Sequence, residues 1–237
     1  MMIYLDHNAT TPVLPEVLEA MMPYFTSEWG NPSSTYKFGS KLKAVIETAR
    51  QQVAELIEAQ PRDVIFTSCG TESNNAAIHA ALKANPAKKH IVTSAVEHSS
   101  VLNYCMVLEK EGYRVTYLPV DQDGLLKLAD FENAITNETA VASLMWANNE
   151  TGVLFPVCEI AEICRSRGVL YHCDAVQAAA KVEIDVRKVA VDYLSLTGHK
   201  FHAPKGIGAL YVRRKAPFSP LVYGGHQERN LRCGTEN

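Results

Sequence analysis

The residues of this sequence able to do chemistry stand in four places, each just past a short apolar or β-branched run. Thr197-Gly198-His199-Lys200 follows the run Tyr193 to Thr197. A lysine held there inside a fold, flanked by Gly198 and His199, has its pKa lowered by burial toward the neutral amine that attacks an aldehyde. Asp174 ends the run Val169 to Cys173. A carboxylate buried at that point needs a partner, and a protonated pyridine nitrogen or a backbone cap would serve. His98 follows His90 to Ser94 near a helix start, where an imidazole either stacks on a flat aromatic ligand or caps the helix. Thr67-Ser68-Cys69-Gly70-Thr71-Glu72 leads from Val64 to Thr67 into a helix, and its small residues free first-turn N–H groups for an anion. Taken singly, each has a bland structural alternative: a surface lysine, a capping aspartate or histidine, an ordinary helix start. Together they supply an amine, a counter-ion for a ring nitrogen, a ring stacker and a phosphate site. That is the set that pyridoxal 5'-phosphate (PLP) requires to act as an electron sink.

The elements that must position these residues alternate. Runs at Val64 to Thr67, His90 to Ser94, Tyr113 to Leu118, Ala140 to Trp146, Val169 to Cys173, Tyr193 to Thr197 and Ile207 to Arg213 read as strands. Helical patterns fall at Glu72 to Ala84, His98 to Glu111, Leu128 to Ile135 and Val157 to Arg167, with two amphipathic helices before them at Pro12 to Phe25 and Lys41 to Glu58. Strands separated by such helices are crossover units, so an α/β fold is expected, with a mostly parallel seven-stranded sheet and helices on both faces. Ligands collect at the carboxyl ends of strands in these sheets, which is where the four loops lie.

The motifs Tyr4-Leu5-Asp6-His7-Asn8-Ala9-Thr10-Thr11-Pro12, Gly30-Asn31-Pro32-Ser33-Ser34, Phe66 to Asn74, Glu97-His98, Asn148 to Gly152, His172 to Gln177, Thr197 to Lys200, Pro204 to Tyr211 and Arg232 to Asn237 run through the whole chain in order. In these motifs the chain resembles the cysteine desulfurases of iron-sulfur cluster and nitrogenase assembly. The resemblance implies the large domain of PLP-dependent transferase fold type I. It implies that Lys200 carries the cofactor covalently and shuttles a proton, that His98 stacks on its ring and assists acid-base steps, and that Asp174 pairs with the pyridine nitrogen. Gln177 and Asn149 approach the ring oxygen, while Gly70, Thr71, Thr197 and His199 hold the phosphate, joined by Thr235 from the second subunit of a homodimer. Residues 1–15 are expected near the substrate mouth, against a small domain, and residues 16–237 as the PLP-binding domain. His7 and Cys233 depart from the residues usual at their positions in this family. The family's persulfide-forming cysteine and substrate-carboxylate arginine lie in a C-terminal small domain that finds no counterpart in this sequence. Arg232 to Asn237, a turn and a helix start with Thr235 as N-cap, therefore reads as the end of a fragment, inactive or impaired alone.

The reaction so implied converts L-cysteine to L-alanine, passing sulfur to an enzyme cysteine as a persulfide and on to an iron-sulfur scaffold or other acceptor protein. Aminotransferases and selenocysteine lyases share the lysine and the fold, and a PLP-binding scaffold without turnover is a third reading.

Composition excludes other classes. The 237 residues are 47% hydrophobic with a formal net charge of -3, and the short run Arg213, Arg214, Lys215 is a solvated strand end, so nucleic acid is not an expected partner. No apolar run approaches the ~20 residues of a membrane span. Six scattered cysteines without a CxxC pair fit reduced thiols in the cytoplasm. No metal is expected: His199 and His202 lack further ligands, and Asp121-Gln122-Asp123-Gly124 reads as a turn rather than a calcium loop. Gly206-x-Gly208 enters a strand and is no dinucleotide fingerprint.

Overall fold

Short β-branched segments that cross over between helices become strands buried on both faces, and the sheet of this protein is built of them. The computed structural model describes residues 3–237; the first two residues of the expected N-terminal segment lie outside the described residues. In chain order the elements are α1 (Pro15–Thr26), α2 (Lys37–Ser40), α3 (Leu42–Leu56), β1 (Val64–Thr67), α4 (Gly70–Ala84), β2 (His90–Ser94), α5 (Ser99–Lys110) and β3 (Arg114–Leu118). They continue with α6 (Leu128–Ala134), β4 (Thr139–Met145), α7 (Val157–Arg167), β5 (Leu170–Asp174), β6 (Tyr193–Thr197) and β7 (Gly208–Val212). Every residue of β2, β4 and β6 is buried.

The seven strands form one sheet in the order β1-β7-β6-β5-β4-β2-β3. All neighbours pair in parallel except β7, which is antiparallel to both β1 and β6. The register brings Met145 level with Asp174 and Asp174 level with Ser195, so three adjacent strands end at one edge. Successive residues feed opposite cores: Ile91, Val141, Tyr193 and Leu210 pack under α4 and α5, while Val92, Ala142, Leu194 and Tyr211 join the larger core with Phe131 of α6 and Ile160 of α7. Ala76, Ala77, Ala80 and Ala81 are all buried in α4. Their small side chains let this helix lie close across the sheet, where larger ones would overpack it at about 1–3 kcal/mol each.

The expected fold class is the observed one, with element boundaries either unchanged or shifted by at most three residues. Helix α4 starts at Gly70 rather than Glu72, and His98 is the N-cap of α5 rather than its first residue. Asp121 makes a turn, its Oδ1 accepting from the N–H groups of Asp123 and Leu125. Leu231 to Asn237 holds no helix among the described residues. Before it, Glu228, Arg229 and Asn230 take left-handed φ values of 44°, 58° and 65°. Side chains hold this strained turn: Glu228 accepts two hydrogen bonds from the buried Arg50, at 2.5 and 2.7 Å, and one from Phe66 N at 2.9 Å. Three such residues cost of the order of 1–3 kcal/mol apiece, so the turn persists only because these contacts over-determine it.

Candidate active site

Strand β5 delivers Asp174 to the sheet edge, where the carboxylate is 6% exposed. Its Oδ1 accepts from Val176 N at 2.9 Å and its Oδ2 from Asn74 Nδ2 at 2.7 Å. Burial raises its pKa, and these two donors work against that rise. Beside it Glu97 is buried, with Oε1 accepting from Ser94 Oγ at 2.7 Å and Met145 N at 3.1 Å. Burial above all, with the Asp174 charge adding to it, pushes the Glu97 carboxyl up to about 8. The next residue, His98, caps α5: its Nδ1 accepts from Ser100 N at 3.2 Å.

Lys200 closes the short turn Gly198–Lys200 after β6. The turn is tight, since a Cβ on Gly198 would lie 2.8 Å from that of Ala203. Lys200 Nζ donates to the main-chain oxygens of Asn8 at 2.5 Å and Ala9 at 2.9 Å. Burial lowers its pKa, the Lys181 ammonium lowers it further, and Asp174 and Asp6 oppose both. The N-terminal segment is strapped across this turn: Thr11 N and Thr11 Oγ1 both donate to His199 O, at 2.9 and 3.0 Å, and Thr11 Oγ1 accepts from His202 N at 2.7 Å. Gln177 Nε2 donates to Asn8 O at 2.8 Å, and Asn149 gives its amide to Glu150 Oε1 at 2.7 Å.

Helix α4 opens at Gly70 with no side-chain cap, which leaves its first-turn N–H groups for another acceptor. A Cβ on Gly70 would stand 2.8 Å from Val176 Cγ2, so only glycine lets the helix start this close to the chain after β5. His199 Nδ1 is engaged by Thr10 Oγ1 at 3.1 Å, and Thr197 Oγ1 donates to Ile207 O at 3.3 Å.

One cavity of about 260 Å³ joins these ends. Gly70, Thr71, His98, Asn149, Asp174, Gln177, Thr197, His199 and Lys200 all line it. Thr235 does not; it lines two surface hollows with Glu236 and Asn237. Sequence reasoning missed Cys69, Asn74, Ser100, Met145, Ala147 and Val176 on the cavity wall. Asn74 had a signal, because it stands one helical turn beyond Gly70 and so shares its face. Met145 and Ala147 had none, being indistinguishable from core residues.

Residues 3–236 match the family model for aminotransferase class-V. The chain belongs to the aminotransferase class-V family. It is 55% identical over 235 residues to a cysteine desulfurase of Trichormus azollae, a match covering 99% of this chain and 59% of that protein. The solved structure of a NifS-like protein superposes with a TM-score of 0.97 at 40% identity, covering 100% of this chain and 66% of that one. That of SspA in complex with cysteine gives a TM-score of 0.95 at 40% identity, covering 99% and 69%. The chain thus spans about three-fifths of the length of the curated relative, 59%. Its fold is the large domain of PLP-dependent transferase fold type I. Class-V aminotransferases and cysteine desulfurases are PLP enzymes, and the cavity residues fit that group. An uncapped helix start with a glycine that admits no side chain suits a phosphate, Asp174 suits a pyridinium, and a lysine of lowered pKa suits an aldehyde.

Proposed function

We propose that this chain binds PLP through Lys200 as the cofactor-binding part of a cysteine desulfurase, which converts L-cysteine to L-alanine and transfers the sulfur to a cysteine thiolate as a persulfide. The observation that carries this reading is the meeting of Lys200, Asp174 and the uncapped start of α4 on one cavity. Bound PLP supplies an electron sink for the carbanion that develops when an amino acid loses its Cα proton. Lys200, whose amine pKa is lowered by burial and by Lys181, would hold the aldehyde of bound PLP and would carry the Cα proton of the substrate. Asp174 keeps a proton on the pyridine nitrogen. The N–H groups of Gly70 and Thr71, with Thr197 and His199, bind the phosphate. His98 would stack on the ring, and Asn149 and Gln177, which here donate to Glu150 and Asn8, would serve its oxygen.

Cys105, Cys164 and Cys173 are buried, and burial pushes their thiols up, which suits none of them to an accessible persulfide-forming thiolate. The full reading adds a homodimer in which Thr235 serves the partner's phosphate. It is supported by the apolar face that Met21, Tyr24, Phe25 and Trp29 present beside Thr235 around one hollow. Residues 3–15 form the rim of the substrate mouth. An iron-sulfur scaffold or other acceptor protein takes the sulfur. Unpaired cysteines throughout the described residues agree with a reducing compartment such as the cytoplasm.

Incubating the chain with PLP, reducing with borohydride and mapping the adduct by mass tests the central assignment. The adduct is expected on Lys200 and absent from Lys200→Ala; an adduct of equal yield in that variant overturns the reading. With L-cysteine and the remaining segment of the relatives supplied, alanine is the expected product, whereas amino-group transfer to a keto acid would point to an aminotransferase.

A further inference from the structure

Two buried polar residues that the proposed chemistry leaves unused connect its carboxylate to its imidazole. Asn74, 1% exposed, spends both amide hydrogens: one on Asp174 Oδ2 at 2.7 Å and one on Ser100 Oγ at 2.8 Å. Ser100, 8% exposed, stands 2.8 Å through its Oγ from His98 Nδ1. The directions of these bonds follow from one another. His98 Nδ1 accepts from the backbone N–H of Ser100, a donor that cannot reverse, so Nδ1 bears a lone pair. The Ser100 hydroxyl must then donate to that lone pair, and its own oxygen is left to accept from Asn74. The Asn74 amide could rotate by half a turn only if Asp174 carried a proton, because its oxygen would otherwise face the carboxylate. Asn74 Oδ1 has no protein partner, so nothing else fixes the amide.

The geometry points to Asn74 and Ser100 as positioning residues: a relay running from ionised Asp174 through Asn74 Nδ2 and Ser100 Oγ to His98 Nδ1, which holds the His98 ring as the Nε2–H tautomer. Ionised Asp174 orients the amide, the amide orients the hydroxyl, and the hydroxyl and N–H together leave Nε2 as the protonated nitrogen on the exposed side of the ring. The group that keeps the pyridine nitrogen protonated is thereby the group that sets which His98 nitrogen offers a proton. The use of the relay in catalysis rests on the PLP reading; the relay itself does not.

The test reads the imidazole directly. Two-bond ¹H–¹⁵N spectra of the uniformly labelled chain report the His98 nitrogens, assigned by the resonances lost in His98→Gln. His98 is expected as Nε2–H, and Asp174→Asn is expected to move Nδ1 downfield as its accepted hydrogen bond weakens. In a Ser100→Ala background the same substitution should leave Nδ1 unmoved, and Ser100→Thr, which restores a hydroxyl, should restore the response. An equal response to Asp174→Asn with and without the hydroxyl would show action through space and overturn the relay. So would a His98 ring protonated on Nδ1. Ser100→Thr keeps the test decisive where Ser100→Ala fails to fold, since a Thr variant without the response also overturns it. Because these spectra are taken before PLP is added, a failed relay is distinguishable from a failed cofactor assignment, which the borohydride adduct reads separately.

Discussion

The two ends of the cavity are built in opposite ways. At one end the Asp174 carboxylate, Asn74 and Glu97 are 6%, 1% and 5% exposed, and side chains from β5, α4 and the loop before α5 hold one another. At the other end Lys200 is half-buried, and its partners are main-chain oxygens of Asn8 and Ala9, exposed residues of a segment that belongs to no helix or strand. The carboxylate is fixed when the core forms, which suits a group whose charge must already be aimed before reaction. The amine is parked against a strap joined to the domain by a few hydrogen bonds, which suits a group that must bond, leave and return. Removing a side chain from the first end should therefore damage both fold and chemistry, whereas trimming the strap at the second should damage neither greatly. The sharpest contrast is Asp174→Ala. It strands Asn74 Nδ2 and Val176 N in the core, at about 2 kcal/mol of unfolding free energy. It should also slow PLP-dependent Cα-proton exchange about a hundredfold or more. PLP retention should fall far less, because the helix start at Gly70 and Thr71 is untouched. Equal losses of retention and exchange would break the comparison.

Sequence reading saw the two ends unequally for a physical reason. A polar side chain at a strand end advertises itself, so Asp174, Lys200, His98 and the Gly70-Thr71 start all lie where the alternation of runs puts them. The partners that hold them do so weakly, as Asn74 does through its place one turn beyond Gly70, or not at all. Asn74 sits in an alanine-rich helix, where a polar residue reads as the solvated face although it is buried. The oxygens holding Lys200 belong to the main chain, which every residue possesses. Gly206-x-Gly208 announced the entry into β7 but not its antiparallel direction, because a run of apolar residues has no sense of direction. The helix start read at Thr235 rested on a capping residue alone, without the periodic body that makes such a signal specific.

Glu97 sharpens the comparison at the buried end through pH. Its ordinary value is 4.5 and burial pushes it up to about 8 in the folded protein. Between those values the native state binds more protons than the unfolded one, so stability falls as pH rises, by at most about 1.4 kcal/mol per unit. This carboxyl's contribution is complete below pH 4.5 and lost as pH passes through about 8. Glu97→Gln keeps an acceptor for Ser94 Oγ and Met145 N and removes the titration. The variant should therefore lose less stability than the parent between pH 6 and 8, by roughly 2 kcal/mol in denaturant midpoints converted to free energy. Parallel pH curves would mean that the carboxyl is ionised in the fold and that this end is wetter than its burial implies.

The smallest effect belongs to the strap. Thr11 is 6% exposed, and its hydroxyl ties the strap to the lysine turn by donating to His199 O and accepting from His202 N. Valine has nearly the same shape without the hydroxyl, while the main-chain bond from Thr11 N to His199 O survives. Thr11→Val should cost about 1 kcal/mol or less in global stability. It should nonetheless speed amide hydrogen exchange across residues 8–12 several-fold, leaving β4, β5 and β6 unchanged, because a segment held by few bonds opens locally without the core. If exchange in β5 and β6 rises in step with the strap, the segment unfolds only with the sheet. The amine end is then as firmly built as the carboxylate end, and the freedom that Lys200 needs must come from its own side chain.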